Sequence, residues 1–172
     1  VSLVAARPGI GKTAFALDLA RRLTPTHPVG MISLEMSVDA LRDRILSAAT
    51  EVPFARIREG GLRPAEMEKV REALAEPWSS NLYLDDPITA SLSAVCTSAR
   101  QLVTERQIAL LIIDYLQLIE PDTRTPNRQE AVATISRTIK RLSLELQIPI
   151  LALSQLNRAL EGRSESRPGL SD

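Results

Sequence analysis

The chain has 172 residues, which is long enough for one domain with a sizeable core. Its 21 basic residues balance 21 acidic residues, so no global field attracts it to nucleic acid or to an anionic membrane. The single cysteine, Cys96, excludes an internal disulfide, and the single histidine, His27, excludes a histidine-rich metal site. Since no apolar run is long enough to span a membrane and no signal-peptide pattern opens the chain, the sequence favours a cytoplasmic location.

Five short apolar runs alternate with helical patterns, which predicts an α/β fold with a mainly parallel sheet flanked by helices. Their content of Val, Ile and Leu is typical of strands that are buried on both faces. The predicted strands cover residues 2–5, 29–34, 81–84, 109–113 and 149–153. Four helices are predicted after the second strand begins. Ser37 caps the first, and Pro64 lies in the first turn of the second, which ends near Ala75. The other two cover residues 91–106 and roughly 129–146.

The first predicted strand leads into a glycine-containing loop, residues 6–13, and a helical pattern follows it. The loop matches the phosphate-binding pattern G-x-x-x-x-G-K-[ST], except that Ala6 stands at the first glycine. Glycines let several backbone N–H groups approach a polyphosphate, and the N-terminus of the next helix favours an anion. Lys12 is then expected to reach the β- and γ-phosphates, and the Thr13 hydroxyl to ligate Mg²⁺. The alternative is a glycine-rich turn before an ordinary helix. The predicted nucleotide-binding residues are Arg7, Pro8, Gly9, Ile10, Gly11, Lys12, Thr13 and Ala14.

Polar residues follow several predicted strands, and the carboxyl ends of parallel strands form the ligand-binding edge of such a sheet. Glu35 is a candidate general base, or else a solvated loop carboxylate. Asp114 ends an Ile-Ile-Asp sequence that resembles a Walker B element, whose aspartate holds Mg²⁺, or else it caps a turn. Gln155 is suited to orient water or to sense the γ-phosphate, or else it is a hydrogen-bonded residue at the sheet edge. Asp85 and Asp86 indicate turn chemistry, with metal binding as the alternative. Together these strand ends predict a nucleoside triphosphatase.

Four segments together resemble the C-terminal RecA-like motor domain of the DnaB family of replicative DNA helicases. They are residues 5–13, Ser33-Leu34-Glu35-Met36, residues 113–118 and residues 152–158. They occur in the family order and nearly at the family spacing, and an alanine at the first loop position is usual in that family. The resemblance spans almost the whole chain, which is therefore interpreted as a single RecA-like domain over residues 1–172.

The resemblance implies an ATP-dependent 5′-to-3′ DNA helicase that assembles as a homohexamer and moves along single-stranded DNA. It implies ATP and Mg²⁺ as cofactors, a primase or loader as a further partner, and no membrane. Lys12, Glu35 and Gln155 carry over as catalytic residues, and Thr13 and Asp114 as the Mg²⁺ ligands. In such motors the strand that ends in Gln155 lies between the phosphate-loop strand and the Walker B strand. The residues expected to face DNA are Arg128, Arg158, Arg163 and Arg167.

In this family an arginine finger and part of the DNA-binding loop come from strands that would follow Asp172. We therefore expect a fragment without the N-terminal domain, linker and last strands, which binds nucleotide but hydrolyses it weakly. One alternative is another RecA-like ATPase, such as a recombinase or a hexamer that acts on a protein partner. A second is a non-hydrolysing ATP-binding module for assembly, and four intact residues argue against it: Lys12, Thr13, Glu35 and Asp114.

Overall fold

The computed structural model describes residues 1–123 and 127–156, which form a parallel β-sheet with helices on both faces. The strands in this part of the chain are β1 (Ser2–Ala6), β2 (Val29–Ser33), β3 (Leu82–Asp85), β4 (Leu110–Asp114) and β5 (Ile150–Gln155). The helices are α1 (Lys12–Leu23), α2 (Val38–Thr50), α3 (Phe54–Glu59), α4 (Pro64–Leu74), α5 (Trp78–Asn81), α6 (Leu92–Arg106) and α7 (Arg128–Leu146), and one 3₁₀ turn covers Leu116–Leu118. The predicted α/β class is confirmed.

The strands lie in the order β1-β5-β4-β2-β3, and every neighbouring pair is parallel. β5 therefore lies between β1 and β4, as the family resemblance implies. The register aligns Ala6 with Gln155 and Ser33 with Asp114. Because all strands run in the same direction, their polar C-terminal residues meet at one edge of the sheet.

Polar side chains fix where the main helices begin. Ser37 accepts a hydrogen bond from the backbone N–H of Ala40 and so caps α2, as predicted. Ser91 caps α6 in the same way, and Asn127 caps α7. The predicted helices agree with α2, α4, α6 and α7 to within a residue or two at the capped ends. The short helices α3 and α5 were not predicted, because six and four residues are too few to show a helical period.

The core consists of two clusters, one on each face of the sheet. On one face α6 and α7 pack against residues such as Ile113 of β4, and on the other α1 and α2 pack against residues such as Ile112. Alternate residues of a strand point to opposite faces, so the central strands are buried on both sides. This burial holds the strand ends that carry the site in a fixed register.

The expectation of burial on both faces is wrong for β1. Val4 packs against the cluster beside α1, but Leu3 on the opposite face is 57% exposed. β1 is an edge strand among the described residues, and the helices on that face cover the central strands. The part of the chain that the structure describes contains no helix that is both long enough and apolar enough to cross a membrane.

Candidate nucleotide-binding site

The loop between β1 and α1 has a backbone that only glycine adopts readily at two positions. Gly9 and Gly11 have φ angles of 77° and 97°, and an added Cβ would meet no other atom within 4 Å at either position. The glycines are therefore required by the conformation and not by crowding. Ala6 is different, because it is the last residue of β1 and pairs in register with Gln155. A strand residue needs no positive φ, which explains why alanine is accepted at the first position of the pattern.

The N-terminus of α1 is open to an anion. Gly11 precedes Lys12, the first residue of the helix, and no side chain caps this end. The first turn of α1 also contains no acidic residue that would occupy its N–H groups. The backbone N–H groups of this turn and the positive end of the helix dipole therefore favour a phosphate here.

Asp114 at the end of β4 is fully buried and only partly hydrogen-bonded. The Thr13 hydroxyl donates to its Oδ2 atom over 2.6 Å, while its Oδ1 atom is buried and has no hydrogen-bond partner among the described residues. Burial raises the pKa of Asp114 above the ordinary value, although the Thr13 hydrogen bond and the charges of Lys12 and Arg44 act in the opposite direction. A buried carboxylate oxygen without a partner, beside a hydroxyl, is a donor set that suits a hard cation such as Mg²⁺.

The described residues contain no group of three or more His, Cys, Asp or Glu side chains that could hold a metal. This result argues against one of two kinds of metal site within the described residues. A protein-only cage needs many side-chain ligands, whereas Mg²⁺ in nucleotide sites uses one or two carboxylates together with phosphates and water. The pair formed by Thr13 and Asp114 fits the second kind.

Lys12 and Tyr115 form the wall of the site next to Asp114. The Lys12 ammonium lies 5.9 Å from the centroid of the Tyr115 ring, and the peptide bond between Asp114 and Tyr115 is cis. Burial raises the pKa of Tyr115, and the negative charges of Glu35 and Asp114 add to this effect. Glu35 and Asp114 thus both lie close enough to Tyr115 to act on it electrostatically, and Lys12 acts on Asp114 in the same way.

Glu35 is exposed on a tight turn that follows β2. The Ser33 hydroxyl donates to the backbone carbonyl of Met36 and accepts from its N–H, which closes the turn. The backbone N–H of Leu34 donates to the carbonyl of Asp114 over 2.7 Å. These bonds hold the backbone of Glu35 at the end of β2 beside the end of β4, and the residue is exposed to solvent.

Gln155 is the last residue of β5 and is half-buried. The central position expected for it is observed, since β5 separates the phosphate-loop strand from the strand of Asp114. The residue that sequence reasoning missed is Gln117, whose side-chain amide bonds to the end of β5. Its position inside the Asp-Tyr-Leu-Gln-Leu segment was the available signal, but the segment does not indicate its partner.

The remaining predicted residues lie farther from this site or outside the described chain. Asp86 accepts from the backbone N–H of Val38 and so stabilises the start of α2, while Asp85 accepts from the Ser98 hydroxyl. Both carboxylates thus bind other elements of the fold, and Asp85 is the last residue of β3, so the turn interpretation does not describe these contacts. Arg128 is exposed at the start of α7, and its charge acts on Tyr115. Arg158, Arg163 and Arg167 lie outside the described residues.

Residues 1–172 match the family described as the DnaB-like helicase C terminal domain. The replicative DNA helicase DnaB of Geobacillus stearothermophilus and the replicative DNA helicase DnaC of Bacillus subtilis are each 40% identical to the chain over 173 residues. These matches cover 99% of this chain and 38% of each relative. The probable plasmid replicative DNA helicase of Chlamydia psittaci is 38% identical over 172 residues, with the same coverage. The chain thus spans well under half the length of these relatives.

Two solved structures are also similar to the chain. One of them, described as an ATPase domain, has a TM-score of 0.85 and 34% identity, and the match covers 99% of this chain and 62% of that one. A DnaB-like replicative helicase, solved in a study of its interactions with primase, has the same TM-score and identity, with coverage of 99% and 43%. The predicted RecA-like fold is confirmed by these likenesses.

Proposed function

The chain belongs to the family of DnaB-like helicase C-terminal domains, and we propose that it is the motor domain of a replicative DNA helicase. In this proposal residues 1–172 form one RecA-like domain that binds ATP with Mg²⁺ and hydrolyses it to drive movement on single-stranded DNA. The observation that carries the proposal is the contact between Thr13 and the buried Asp114, which joins the phosphate loop to the end of β4. Within residues 1–123 and 127–156 the Oδ1 atom of Asp114 has no hydrogen-bond partner, as expected of a carboxylate that serves a bound cation.

Different residues of the chain would bind the phosphates and the magnesium ion. The loop residues 7–14, apart from Pro8, would offer backbone N–H groups to the phosphates, and the Lys12 ammonium would neutralise the β- and γ-phosphates. The Thr13 hydroxyl and the Asp114 carboxylate would hold Mg²⁺, which supplies further neutralisation of the phosphate charge when it is bound. Tyr115 lies beside the Lys12 ammonium and limits where that side chain can go.

Glu35 is the candidate general base. Its carboxylate is exposed to solvent, so water can reach it, and the turn closed by Ser33 keeps it next to the ends of β2 and β4. It would accept a proton from the water that attacks the γ-phosphate. Gln155 would contact the γ-phosphate from the neighbouring strand and pass its presence on to the residues that follow it.

The wider assembly follows from the family. We propose a homohexamer that encloses single-stranded DNA and travels 5′ to 3′, with Arg128 among the residues that face the DNA. Weak phosphate contacts repeated in each subunit would add up to firm binding without sequence specificity. A similar solved helicase is described with its interactions with primase, which supports a primase as one partner.

The test is ATP turnover with and without single-stranded DNA, measured on a full-length polypeptide that carries this domain. We expect DNA to stimulate turnover and Glu35→Gln to lower it by about 10²–10⁴-fold, the usual contribution of a general base. Glu72→Gln, which alters an exposed glutamate of α4, is the matched control and should behave as wild type. An ATP turnover rate that does not change when DNA is added would favour a RecA-like ATPase with a protein partner. Tight Mg-ATP binding without turnover would favour an assembly module.

A further inference from the structure

The strand that carries Gln155 extends past its partner in the sheet. The ladder between β4 and β5 pairs Leu111 with Ile150 and ends at the pair of Ile113 and Ala152. β5 nevertheless continues to Gln155. On the side that faces β4, the last residues of β5 therefore need another source of hydrogen bonds.

The side chain of Gln117 supplies these bonds. Its Nε2 atom donates to the carbonyl of Gln155 over 2.9 Å, and its Oε1 atom accepts from the N–H of Gln155 over 3.1 Å. Nε2 also donates to the Ser154 hydroxyl over 2.6 Å. One side-chain amide thus gives Gln155 the donor and the acceptor that a neighbouring strand would give it.

On its other side the end of β5 is bound to the phosphate loop. Ala6 pairs in register with Gln155, and the backbone N–H of Leu156 donates to the carbonyl of Ala6 over 3.1 Å. Gln155 is therefore held between the first residue of the loop and the turn that follows Asp114. Within the described part of the chain these bonds fix its backbone, while no hydrogen bond engages its side-chain amide.

Gln117 itself is connected to the nucleotide site by a short, rigid segment. Only Tyr115 and Leu116 separate it from Asp114, and the 3₁₀ turn Leu116–Leu118 contains it. Tyr115 packs against the core on the α1 side and Leu116 against the core on the α7 side. A displacement of Asp114 and Tyr115 by a bound nucleotide would therefore reach the Gln117 amide through two residues whose side chains are packed against the core.

We propose that Gln117 is a positioning residue that couples the occupancy of the Asp114 site to the backbone of Gln155. This inference rests on the proposed function, since it assumes that Asp114 and Gln155 serve the same nucleotide. Gln117 contacts neither Thr13 nor Asp114 by a hydrogen bond, so its role is coupling and not binding. Without it, the turn that follows Asp114 and the end of β5 respond to nucleotide separately.

The first experiment measures this coupling directly by NMR of the ¹⁵N-labelled chain, with Mg-ADP and a non-hydrolysable Mg-ATP analogue as probes. In the wild type we expect the backbone amides of Gly11 and Gln155 to shift, with a difference between the two nucleotides at Gln155. Gln117→Met keeps the length of the side chain but cannot form the pair. This variant should leave the Gly11 response and the nucleotide affinity unchanged to within about twofold, and it should remove the difference at Gln155. Hydrogen exchange of the Gln155 backbone amide should become faster by roughly tenfold or more, because its N–H loses the acceptor Oε1 of Gln117.

Two further variants separate positioning from general packing. Ser154→Ala removes only the hydroxyl contact and should keep the Gln155 response, while Gln101→Met is a matched change on the exposed face of α6 and should change nothing. If Gln117→Met folds poorly, Gln117→Glu takes its place. This variant keeps the acceptor oxygen but loses the N–H donors, and it should also lose the difference at Gln155. A Gln155 response that persists in folded Gln117→Met would overturn the inference.

The same variants in the full-length polypeptide distinguish this inference from the proposed function. If Gln117→Met loses the stimulation of ATP turnover by single-stranded DNA and retains basal turnover, the coupling role is supported. If it lowers both rates equally, Gln117 is only structural and the inference fails. A wild type that shows no stimulation at all would contradict the proposed function, whereas the NMR result would still decide the role of Gln117.

Discussion

Replacing Asp114 by asparagine should stabilise the nucleotide-free chain while it removes Mg-nucleotide binding. The change keeps the volume of the side chain and deletes its charge. In the part of the chain that the structure describes, Asp114 is fully buried, its Oδ1 atom has no hydrogen-bond partner, and its Oδ2 atom accepts the hydrogen bond of Thr13. A buried charge of this kind is a cost to folding that is explained only by function.

The size of the effect follows from these contacts. Burying an incompletely paired ion costs several kcal/mol, and the charge-assisted bond from Thr13 returns about 1.5–3 kcal/mol. Asparagine avoids the ionic cost and still accepts from Thr13 with about 0.5–1.5 kcal/mol, as a neutral acceptor does. We expect a net gain of about 1–3 kcal/mol in the free energy of unfolding. For a domain of this size this raises the melting temperature by roughly 2–12 °C.

The assay is thermal unfolding of the Asp114→Asn variant and the wild type, with and without a Mg-ATP analogue. At a ligand concentration about 100-fold above Kd, the wild type should gain about 2.7 kcal/mol, and the variant should gain little because Mg²⁺ has lost its carboxylate. Thr13→Val is the contrasting control: it leaves the carboxylate buried without any hydrogen bond and should cost about 1–3 kcal/mol. If Asp114→Asn melts below the wild type without ligand, the buried charge is not a net cost. Equal stabilisation of both proteins by the ligand would remove Asp114 from the Mg²⁺ site.

Two further predictions concern stability away from the site. Ile139 on α7 is 1% exposed, and Ile139→Ala should lower the free energy of unfolding by about 2–5 kcal/mol. The measurement is urea unfolding, which should show a lower midpoint and an unchanged m-value. A loss below about 1 kcal/mol would mean that the core on this face relaxes around the cavity. The backbone N–H of Arg63, and to a smaller degree the charge of Arg56, lowers the pKa of Glu66 below its ordinary value. The stability from this depressed pKa is present at neutral pH and is lost as pH falls through the folded-state pKa, so Glu66→Gln should flatten the acid limb of a stability profile; an unchanged limb would contradict the assignment.

The fold could be predicted from the sequence where local patterns determine it. The runs of Val, Ile and Leu identified all five strands of the described chain to within two residues, because buried parallel strands need continuous apolar side chains. The edge position of β1 could not be seen, since Leu3 is as apolar as its buried counterparts. The order of the strands also leaves no local signal, because it depends on pairing between distant segments; it was expected only from the family resemblance.

In the candidate site, too, the sequence marks individual residues but not the contacts between distant ones. Lys12 and Thr13 are marked by a contiguous motif, and Asp114 by its place at the end of an apolar run. The contact between Thr13 and Asp114 joins residues that are 101 positions apart, and it becomes apparent only in three dimensions. Gln117 was missed for a stronger reason. Its partner is the backbone of Gln155, and a backbone group has the same chemistry at every position of a sequence.

The distribution of satisfied and unsatisfied groups supports a binding role for this edge of the sheet. The backbone at the edge is hydrogen-bonded by Ser33 in the Glu35 turn and by Gln117 at the end of β5. Among the described residues, the start of α1 has no side-chain cap and the Oδ1 atom of Asp114 has no hydrogen-bond partner. Donors that suit phosphate and an oxygen that suits a cation thus stand side by side, and a magnesium–nucleotide complex satisfies both at once. Unpaired groups also occur elsewhere in the described chain, as at Trp78 Nε1, but those at this edge combine donors for phosphate with an acceptor for a cation.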